Sequence, residues 1–136
     1  MYCLRGLPGN GKSQLANRVA CSVDTYETSI ICSADDFFTD EKTGIYKWYP
    51  EGLGQAHTQC QSNAEVAMIK ETNVVIIDNV ASKRRNVELY KQMAGRYGYH
   101  FIEIMVGNLD VETSFKRNTH GVPLKTIQAM ADNWEY

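Results

Sequence analysis

The glycine-rich segment GLPGNGKS, residues 6–13, constrains the fold of this chain more than any other feature. It matches the pattern GxxxxGK[ST], whose glycines let successive backbone N–H groups turn inward around phosphate oxygens. A short strand is predicted before it, at Tyr2 to Arg5, and a helix after it, from Lys12 to about Val23, because apolar residues recur there at helical spacing. The partial positive charge of a helix N-terminus adds to the attraction for phosphate, so this order of elements predicts a nucleotide site.

Helical and strand patterns alternate through the rest of the chain, which predicts a layered α/β fold with a mostly parallel sheet of about four strands. Residues 73–77 form the clearest strand, since a continuous β-branched run is typical of a strand covered on both faces. We find no repeat or linker and therefore expect a single domain over residues 1–136. The remaining predictions are strands at 29–32 and 100–106, a loop at 39–52, and helices at 53–69, 84–97, 111–117 and 123–134.

Composition and charge argue against several classes of protein. No long uncharged apolar run is present and the first residues lack the form of a signal peptide, so we expect a cytoplasmic protein with no membrane partner. The formal net charge is −2, which is no polycation, so strong nonspecific binding to duplex nucleic acid is not expected. The four cysteines lack the spacing of a metal site and are predicted to be reduced thiols in the core. They are Cys3, Cys21, Cys32 and Cys60.

Two residues of the glycine-rich segment and one distant acid carry specific chemistry. Lys12 is expected to reach the β- and γ-phosphates of ATP, and the Ser13 hydroxyl to ligate Mg²⁺. Asp78 follows the apolar run VVII and has the form of an acid that holds Mg²⁺ or its waters, although a turn or helix-starting aspartate is the alternative. ATP is expected to contact the segment and the residue after it, which are Gly6, Leu7, Pro8, Gly9, Asn10, Gly11, Lys12, Ser13 and Gln14.

Two adjacent acids, Asp35 and Asp36, follow the predicted strand at 29–32. Because ligands of open α/β sheets bind at the carboxyl ends of the strands, we expect these acids to share one edge with Ser13 and Asp78. Either acid could accept the proton of an attacking hydroxyl, and the alternative is a turn that merely ends the strand. Residue chemistry alone does not choose between the two acids.

A basic segment, FKRNTHGVP, lies near the C-terminus. Lys116 and Arg117 end a predicted helix beside Gly121 and Pro123, which is typical of a mobile lid. An arginine there would neutralise charge on a transferring phosphoryl group. The alternative is that cations at a helix C-terminus simply suit the helix dipole.

Three further groups have a structural and a functional interpretation. The basic run at 83–85 is more typical of a solvated helix start than of a nucleic-acid patch. The aromatic residues Tyr46, Trp48 and Tyr49 would either stack a base or pin their loop to the core. His57 is expected to face the cleft.

Five segments together resemble the P-loop domain of NEDD4-binding protein 2-like proteins and, more distantly, the kinase domain of phage-type polynucleotide 5′-kinases. They are RGLPGNGKS, SADDFF, LGQAHTQCQ, VVIIDN and RNTHGVP…IQAMADNWE, and they span nearly the whole chain. The resemblance implies a three-layer P-loop NTPase (kinase) fold with a C-terminal helical lid. It also implies transfer of the γ-phosphate of ATP to the 5′-hydroxyl of DNA or RNA.

Carried over by position, the resemblance implies that Asp35 is the general base and Arg117 the lid arginine. Lys12 and Ser13 keep their phosphate and Mg²⁺ roles, and Asp36 keeps a supporting or capping role.

The chain departs from the family pattern at two places. Phage-type kinases carry an arginine shortly after the acid pair, where this chain has Phe38, so the resemblance implies no arginine contact to a substrate phosphate at this position. The usual family sequence DNTN is DNVA at residues 78–81, which removes two polar side chains from the edge of the cleft.

Three functions therefore follow from the sequence. The leading hypothesis is an ATP- and Mg²⁺-dependent kinase of nucleic-acid 5′-hydroxyls. The second is a kinase of a nucleoside or small metabolite, which the modest charge balance suits better. The third is a nucleotide-binding interaction protein without transfer activity, which the two departures favour.

Overall fold

Four parallel strands form one sheet in the computed structural model, which describes residues 1–23 and 27–136. All three strand pairs are parallel, and the order across the sheet is β2-β3-β1-β4. The predicted sheet of about four strands is therefore confirmed. The strands are β1 (Tyr2–Arg5), β2 (Ser29–Cys32), β3 (Val74–Asp78) and β4 (Ile102–Met105).

The last strand is shorter than the sequence predicts. β4 pairs with β1 only from Ile102 to Met105, because β1 itself has four residues to offer. The backbone N–H of Tyr99 instead donates to the carbonyl of Ala94 at the end of the preceding helix. The predicted start at His100 was therefore too early, and the carbonyl of His100 accepts a hydrogen bond from the N-terminal amine of Met1.

Five α-helices accompany the strands within residues 1–23 and 27–136, and the predicted bounds of the second and fourth are confirmed at both ends. The helices are α1 (Lys12–Cys21), α2 (Leu53–Ile69), α3 (Arg84–Arg96), α4 (Val111–Arg117) and α5 (Leu124–Asp132). Two short 3-10 turns, Ala34–Phe38 and Pro50–Gly52, were not predicted. The first of them forms because Ser33 caps it through its side-chain oxygen, which the apolar pattern of the strand before it does not reveal.

The helices cover both faces of the sheet, so the predicted three-layer arrangement is confirmed. Buried side chains of α2 and α3 pack with alternate strand residues on one face, whereas Ala16 of α1 packs against Leu4 and Ile76 on the other. Val75 and Ile77 are fully buried in the first cluster, and β3 is thereby covered on both sides as its sequence predicts. This packing holds the carboxyl ends of β1, β2 and β3 at one common edge.

The C-terminal helices lie at that same edge. Leu7 and Ile127 are fully buried there, and they pack with Trp134 in a further apolar cluster. Leu7 belongs to the glycine-rich loop, and the other two residues lie on and just beyond α5. The predicted C-terminal helical element thus packs directly on the loop that the sequence assigns to phosphate.

Arg5, the last residue of β1, is a buried cation that holds the C-terminus in place. Its side chain is 2% exposed, its Nε donates to the carbonyl of Ala81 at 2.9 Å, and its Nη1 lies 2.8 Å from a carboxylate oxygen of Glu103. Its guanidinium carbon lies 4.9 Å from the centroid of the Trp134 ring, and its Nη2 donates to the carbonyl of Glu135. A buried charge needs partners of this kind to offset its desolvation.

The basic run at 83–85 is largely engaged with acids rather than presented as a patch. Lys83 lies 3.1 Å from Glu135, and Arg84 lies 2.7 Å from Glu103. The interpretation as a helix start on the protein surface therefore describes these residues better than a nucleic-acid patch does.

Three of the four cysteines lie in the core as predicted, but Cys21 does not. Cys3, Cys32 and Cys60 are buried free thiols, and burial raises the pKa of Cys3 and of Cys32 to about 12. Cys21 is exposed because it is the last residue of α1, beyond the stripe that faces the sheet. Within the two described ranges, no helix combines the length and apolar character needed to cross a membrane.

The substitution Arg5→Met tests the role of the buried cation. It removes the donor to three backbone carbonyls, those of Ala81, Ser82 and Glu135, and should lower the free energy of unfolding by about 3 kcal/mol, as measured by urea titration. The control is Arg96→Met, because Arg96 is 64% exposed and its pairing with Glu65 spans 3.6 Å. That change should cost no more than about 0.5 kcal/mol. Equal stability of the two variants would contradict the role assigned to Arg5.

Candidate phosphoryl-transfer site

The glycine-rich loop wraps around the side chain of its own lysine. Lys12 is 9% exposed, and its Nζ donates to the carbonyl of Leu7 at 3.1 Å. Burial lowers the pKa of Lys12, and the charges of Asp78 and Asp35 oppose that shift. The Lys12 ammonium thus donates to one carbonyl and lies within the electrostatic influence of two acids. A buried ammonium attracts phosphate oxygens strongly.

Ser13 and Asp78, the two predicted metal ligands, are in direct contact. The Ser13 hydroxyl donates to Oδ2 of Asp78 at 2.6 Å. The contact exists because β1 and β3 are paired with Leu4 opposite Asp78, and the N–H of Gly6 continues that pairing by donating to the carbonyl of Val80. A hydroxyl and a carboxylate are hard oxygen donors of the kind that Mg²⁺ prefers, so the chemistry of this pair fits the ion.

The two adjacent acids of the turn at 34–38 have different surroundings. Asp36 forms a capping box with Ser33, whose backbone N–H donates to Oδ2 of Asp36 at 3.3 Å. Desolvation raises the pKa of Asp36, and the hydrogen bond from Ser33 opposes the shift. The side chain of Asp35 makes no contact within this box and remains 51% exposed. Asp36 is therefore engaged within the turn, whereas the carboxylate of Asp35 is not engaged by the turn and remains exposed.

Asn79 anchors this turn to the sheet. Its Oδ1 accepts a hydrogen bond from the N–H of Ala34 at 2.9 Å, and its Nδ2 lies 3.4 Å from the Sγ of Cys60. The residue is 8% exposed. The asparagine that follows Asp78 thereby connects the acid pair after β2 to the predicted metal ligand at the end of β3, a link that sequence reasoning missed.

Two contacts to Asp35 were also missed by sequence reasoning. The hydroxyl of Tyr46 donates to Oδ1 of Asp35 at 3.1 Å, and Nε2 of His120 lies 3.9 Å from its Oδ2. His57 on α2 is half-buried. Burial lowers the pKa of His57, and the negative charge of Asp35 opposes that shift. The orientation of His57 toward the cleft stays a prediction.

The loop and the C-terminal helices interlock through Asn10. Its Oδ1 accepts a hydrogen bond from the hydroxyl of Ser114 at 2.7 Å, and its Nδ2 donates to the carbonyls of Val106 and Asn108 at 3.1 and 2.7 Å. Ser114 lies on α4 and is fully buried. The side chain of Asn10 is thereby engaged by the protein, which leaves its backbone as the part that can meet a phosphate.

The predicted lid arginine stands at the end of α4. Arg117 is exposed, and no ion pair to it is found within residues 1–23 and 27–136. Its backbone lies against the loop, because a Cβ built on Gly9 would come within 3.0 Å of the carbonyl carbon of Arg117. Arg117 therefore belongs to a segment that contacts the loop. Its guanidinium forms no ion pair within the part of the chain that the structure describes.

The position where phage-type kinases carry an arginine is part of an aromatic cluster. Phe38 is 5% exposed, and the rings of Tyr46, Trp48 and Tyr49 lie 5.4 to 6.3 Å from its own. The loop at 39–52 is thus pinned to the core through Phe38. The outer surfaces of Trp48 and Tyr49 remain exposed, by 50% and 44%.

At the second departure from the family pattern, apolar side chains that pack in the interior replace polar ones. Val80 packs with the cluster around Leu7, and Ala81 is buried in the cluster beneath α2 and α3. Their backbone carbonyls still serve the site, since that of Val80 accepts from Gly6 and that of Ala81 from Arg5. The edge of the cleft therefore loses polar side chains but keeps its backbone geometry.

A parallel sheet in the order β2-β3-β1-β4, a glycine-rich loop after β1 and a serine–aspartate contact beside it define the P-loop kinase fold. Residues 1–132 match the model of a protein family described as AAA domain, and the chain belongs to that family. NEDD4-binding protein 2 from Homo sapiens is 30% identical to the chain over 99% of its length. The resemblance to that group is thereby confirmed. The chain spans only 8% of that relative.

Solved structures of kinases and of a repair complex share the fold. A chain of the Pnkp1/Rnl/Hen1 RNA repair complex is similar with a TM-score of 0.73 and 19% identity, over 97% of this chain and 42% of that one. A gluconokinase from Sinorhizobium meliloti is similar with a TM-score of 0.62 and 17% identity, over 99% of this chain and 74% of that one. At these identities the likeness concerns the fold.

The substitution Gly9→Ala tests the contact between the loop and α4. A Cβ there would lie 2.5 Å from the carbonyl oxygen of Ser114 and 2.7 Å from the amide of Asn118, and the φ of Gly9 is +81°. We expect the free energy of unfolding to fall by about 1–3 kcal/mol in urea titration. Gly95→Ala is the control, because nothing lies within 4 Å of a Cβ built in that part of α3. It should stabilise by up to about 1 kcal/mol, and a fall of the same size in both variants would contradict the contact.

Proposed function

We propose that this domain, residues 1–136, is an ATP- and Mg²⁺-dependent phosphotransferase. One observation carries the proposal: an exposed carboxylate, that of Asp35, shares this edge of the sheet with a buried lysine and with the contact between Ser13 and Asp78. A domain that only bound nucleotide would need the lysine and the contact. The additional exposed acid is the group that a hydroxyl acceptor requires.

Asp35 acts as the general base in this proposal. As the acceptor oxygen forms its bond to the γ-phosphorus, its proton passes to Asp35, and the bond from that phosphorus to the bridging oxygen of ADP breaks. Lys12 and Arg117 stabilise the charge on the transferring group. Catalysis of this reaction depends mostly on positioning and on neutralising charge, so a carboxylate can serve as the base.

Ser13 and Asp78 hold Mg²⁺ in this proposal, directly or through water. The ion would neutralise charge on the β- and γ-phosphate oxygens. The backbone of residues 6–14 holds the phosphates, because the side chain of Leu7 is buried under α5 and that of Asn10 is engaged by Ser114.

The acceptor in our proposal is the 5′-hydroxyl of DNA or RNA. The fold is shared with a chain of an RNA repair complex at a TM-score of 0.73. The chain also has both an acid pair and a basic C-terminal helix, as the phage-type kinases that it resembles do. Exposed aromatic surface at Trp48 and Tyr49, in the loop that also carries Tyr46, suits a nucleobase.

A small-molecule acceptor is the second candidate. Phe38 supplies no cation for a substrate phosphate, and the net charge of −2 gives the chain no general attraction for a polyanion. The shared fold with a gluconokinase is compatible with a small hydroxyl compound.

The first experiment separates the two acids. Asp35→Asn should lower the rate of labelled phosphate transfer from ATP to a 5′-hydroxyl oligonucleotide by at least about 100-fold, since it removes the base. Asp36→Asn should retain most of the rate, because an asparagine oxygen can still accept the capping hydrogen bond from Ser33. Both variants should bind ATP as the natural sequence does, as measured by calorimetry. Equal transfer by Asp35→Asn and the natural sequence would exclude Asp35 as the base.

The second experiment identifies the acceptor. A 5′-hydroxyl oligonucleotide, a nucleoside and a sugar acid compete for one labelled ATP pool with and without EDTA. We expect label in the oligonucleotide alone and its loss when EDTA removes Mg²⁺. Label in a small molecule would instead select the second candidate. ATP binding without label in any acceptor would select an interaction protein that binds nucleotide and transfers nothing.

A further inference from the structure

Side chains from two other segments of the chain meet at the carboxylate of Asp35. Tyr46, from the loop at 39–52, donates its hydroxyl hydrogen to Oδ1 at 3.1 Å. His120, from the turn after α4, places Nε2 3.9 Å from Oδ2. The two aromatic rings also contact each other edge to face, with centroids 4.3 Å apart. Each oxygen of the carboxylate thus has its own neighbour, and the neighbours support each other.

Tyr46 is held in place by the loop that carries it. Thr39 and Tyr46 form an antiparallel bridge, and the next residue, Lys47, donates its backbone N–H to the carbonyl of Phe38 at 2.9 Å. The ring of Tyr46 lies 6.2 Å from that of buried Phe38. Desolvation and the charge of Asp35 raise the pKa of Tyr46, so its hydroxyl stays protonated as a donor.

His120 is presented by an ordered turn. Oδ1 of Asn118 accepts hydrogen bonds from the backbone N–H groups of His120 and Val122 at 3.1 and 3.0 Å, and Nδ2 donates to the carbonyl of Val122 at 3.1 Å. The backbone nitrogen of Asn118 packs against Gly9, since a Cβ built on Gly9 would lie 2.7 Å from it. The turn that carries His120 therefore rests on the glycine-rich loop.

We propose that Tyr46 and His120 are positioning residues that orient the carboxylate of Asp35 and tie its orientation to the segment packed on the glycine-rich loop. The inference rests on the proposed function, in which Asp35 is the base. A carboxylate on a short, exposed turn has rotamer freedom, and two neighbours on its two oxygens restrict it. Orientation of the base relative to the acceptor contributes to the rate, whereas affinity for ATP depends on other side chains.

The arrangement predicts a specific kinetic pattern. Tyr46→Phe and His120→Ala should each lower kcat for labelled phosphate transfer about tenfold, and leave the KM for ATP within about twofold of its natural value. His120→Gln should recover much of the loss, because its amide nitrogen can reach the same oxygen. Neither Tyr46→Phe nor His120→Ala should lower the rate further in an Asp35→Asn background, since both act through that carboxylate.

A matched control exists on the far side of the molecule. The hydroxyl of Tyr97 donates to a carboxylate oxygen of Glu65 at 2.8 Å, so Tyr97→Phe removes a similar surface hydrogen bond remote from the loop edge. It should leave kcat unchanged. Thermal melting of every variant shows whether a fall in kcat reflects unfolding.

The outcomes separate this inference from the proposed function. Natural kcat in both Tyr46→Phe and His120→Ala would overturn the inference and leave Asp35 as the base. A further loss in the Asp35→Asn background, or a loss of equal size in Tyr97→Phe, would also overturn it, because the effect would then not pass through the carboxylate. Absence of transfer by the natural sequence to every acceptor would overturn the proposed function, and the positioning role with it.

Discussion

The parallel pairing of β1 with β3 is the constraint on which the rest of the site depends. It sets Leu4 opposite Asp78, and the N–H of Gly6 extends the pairing to the carbonyl of Val80. The glycine-rich loop therefore leaves the sheet beside the end of β3, and Ser13 meets Asp78 at 2.6 Å. A slip of one residue in β3 would turn the side chain of Asp78 to the opposite face of the sheet and away from Ser13, so this register is what brings the two residues together.

At the edge of the sheet that carries the glycine-rich loop, this chain has packed apolar side chains where the family pattern has polar ones. Phe38, Val80 and Ala81 occupy positions at which the resemblance leads one to expect an arginine and two polar residues, and all three pack in apolar clusters. The backbone around them still makes the hydrogen bonds of the site. Tight contacts of Gly9 and Asn10 with α4 join the loop to the C-terminal helices. The loop is thereby packed against the C-terminal helices, and the side chains of Asp35 and Arg117 remain exposed at the same edge.

Much of the fold could be predicted from local patterns. The bounds of α2 and α4 were correct because their apolar spacing is regular and both begin after turn-forming residues. The predictions failed where a partner decided the outcome. β4 ends where β1 ends, and Cys21 falls beyond the buried stripe of α1. The turn at 34–38 depends on a cap from Ser33 and on the side chain of Asn79, the residue after β3.

The sequence by itself determined the nucleotide loop, the layered α/β fold and the presence of acids at the strand ends, because each follows from residue type at short spacing. Residue chemistry left Asp35 and Asp36 equivalent, and at the level of sequence only the family resemblance singled out Asp35. The tertiary structure gives the physical difference, because it engages Asp36 in a capping box and brings Tyr46 and His120 to Asp35. Such contacts arise from how distant segments pack, and no local pattern in the chain encodes which side chains will meet.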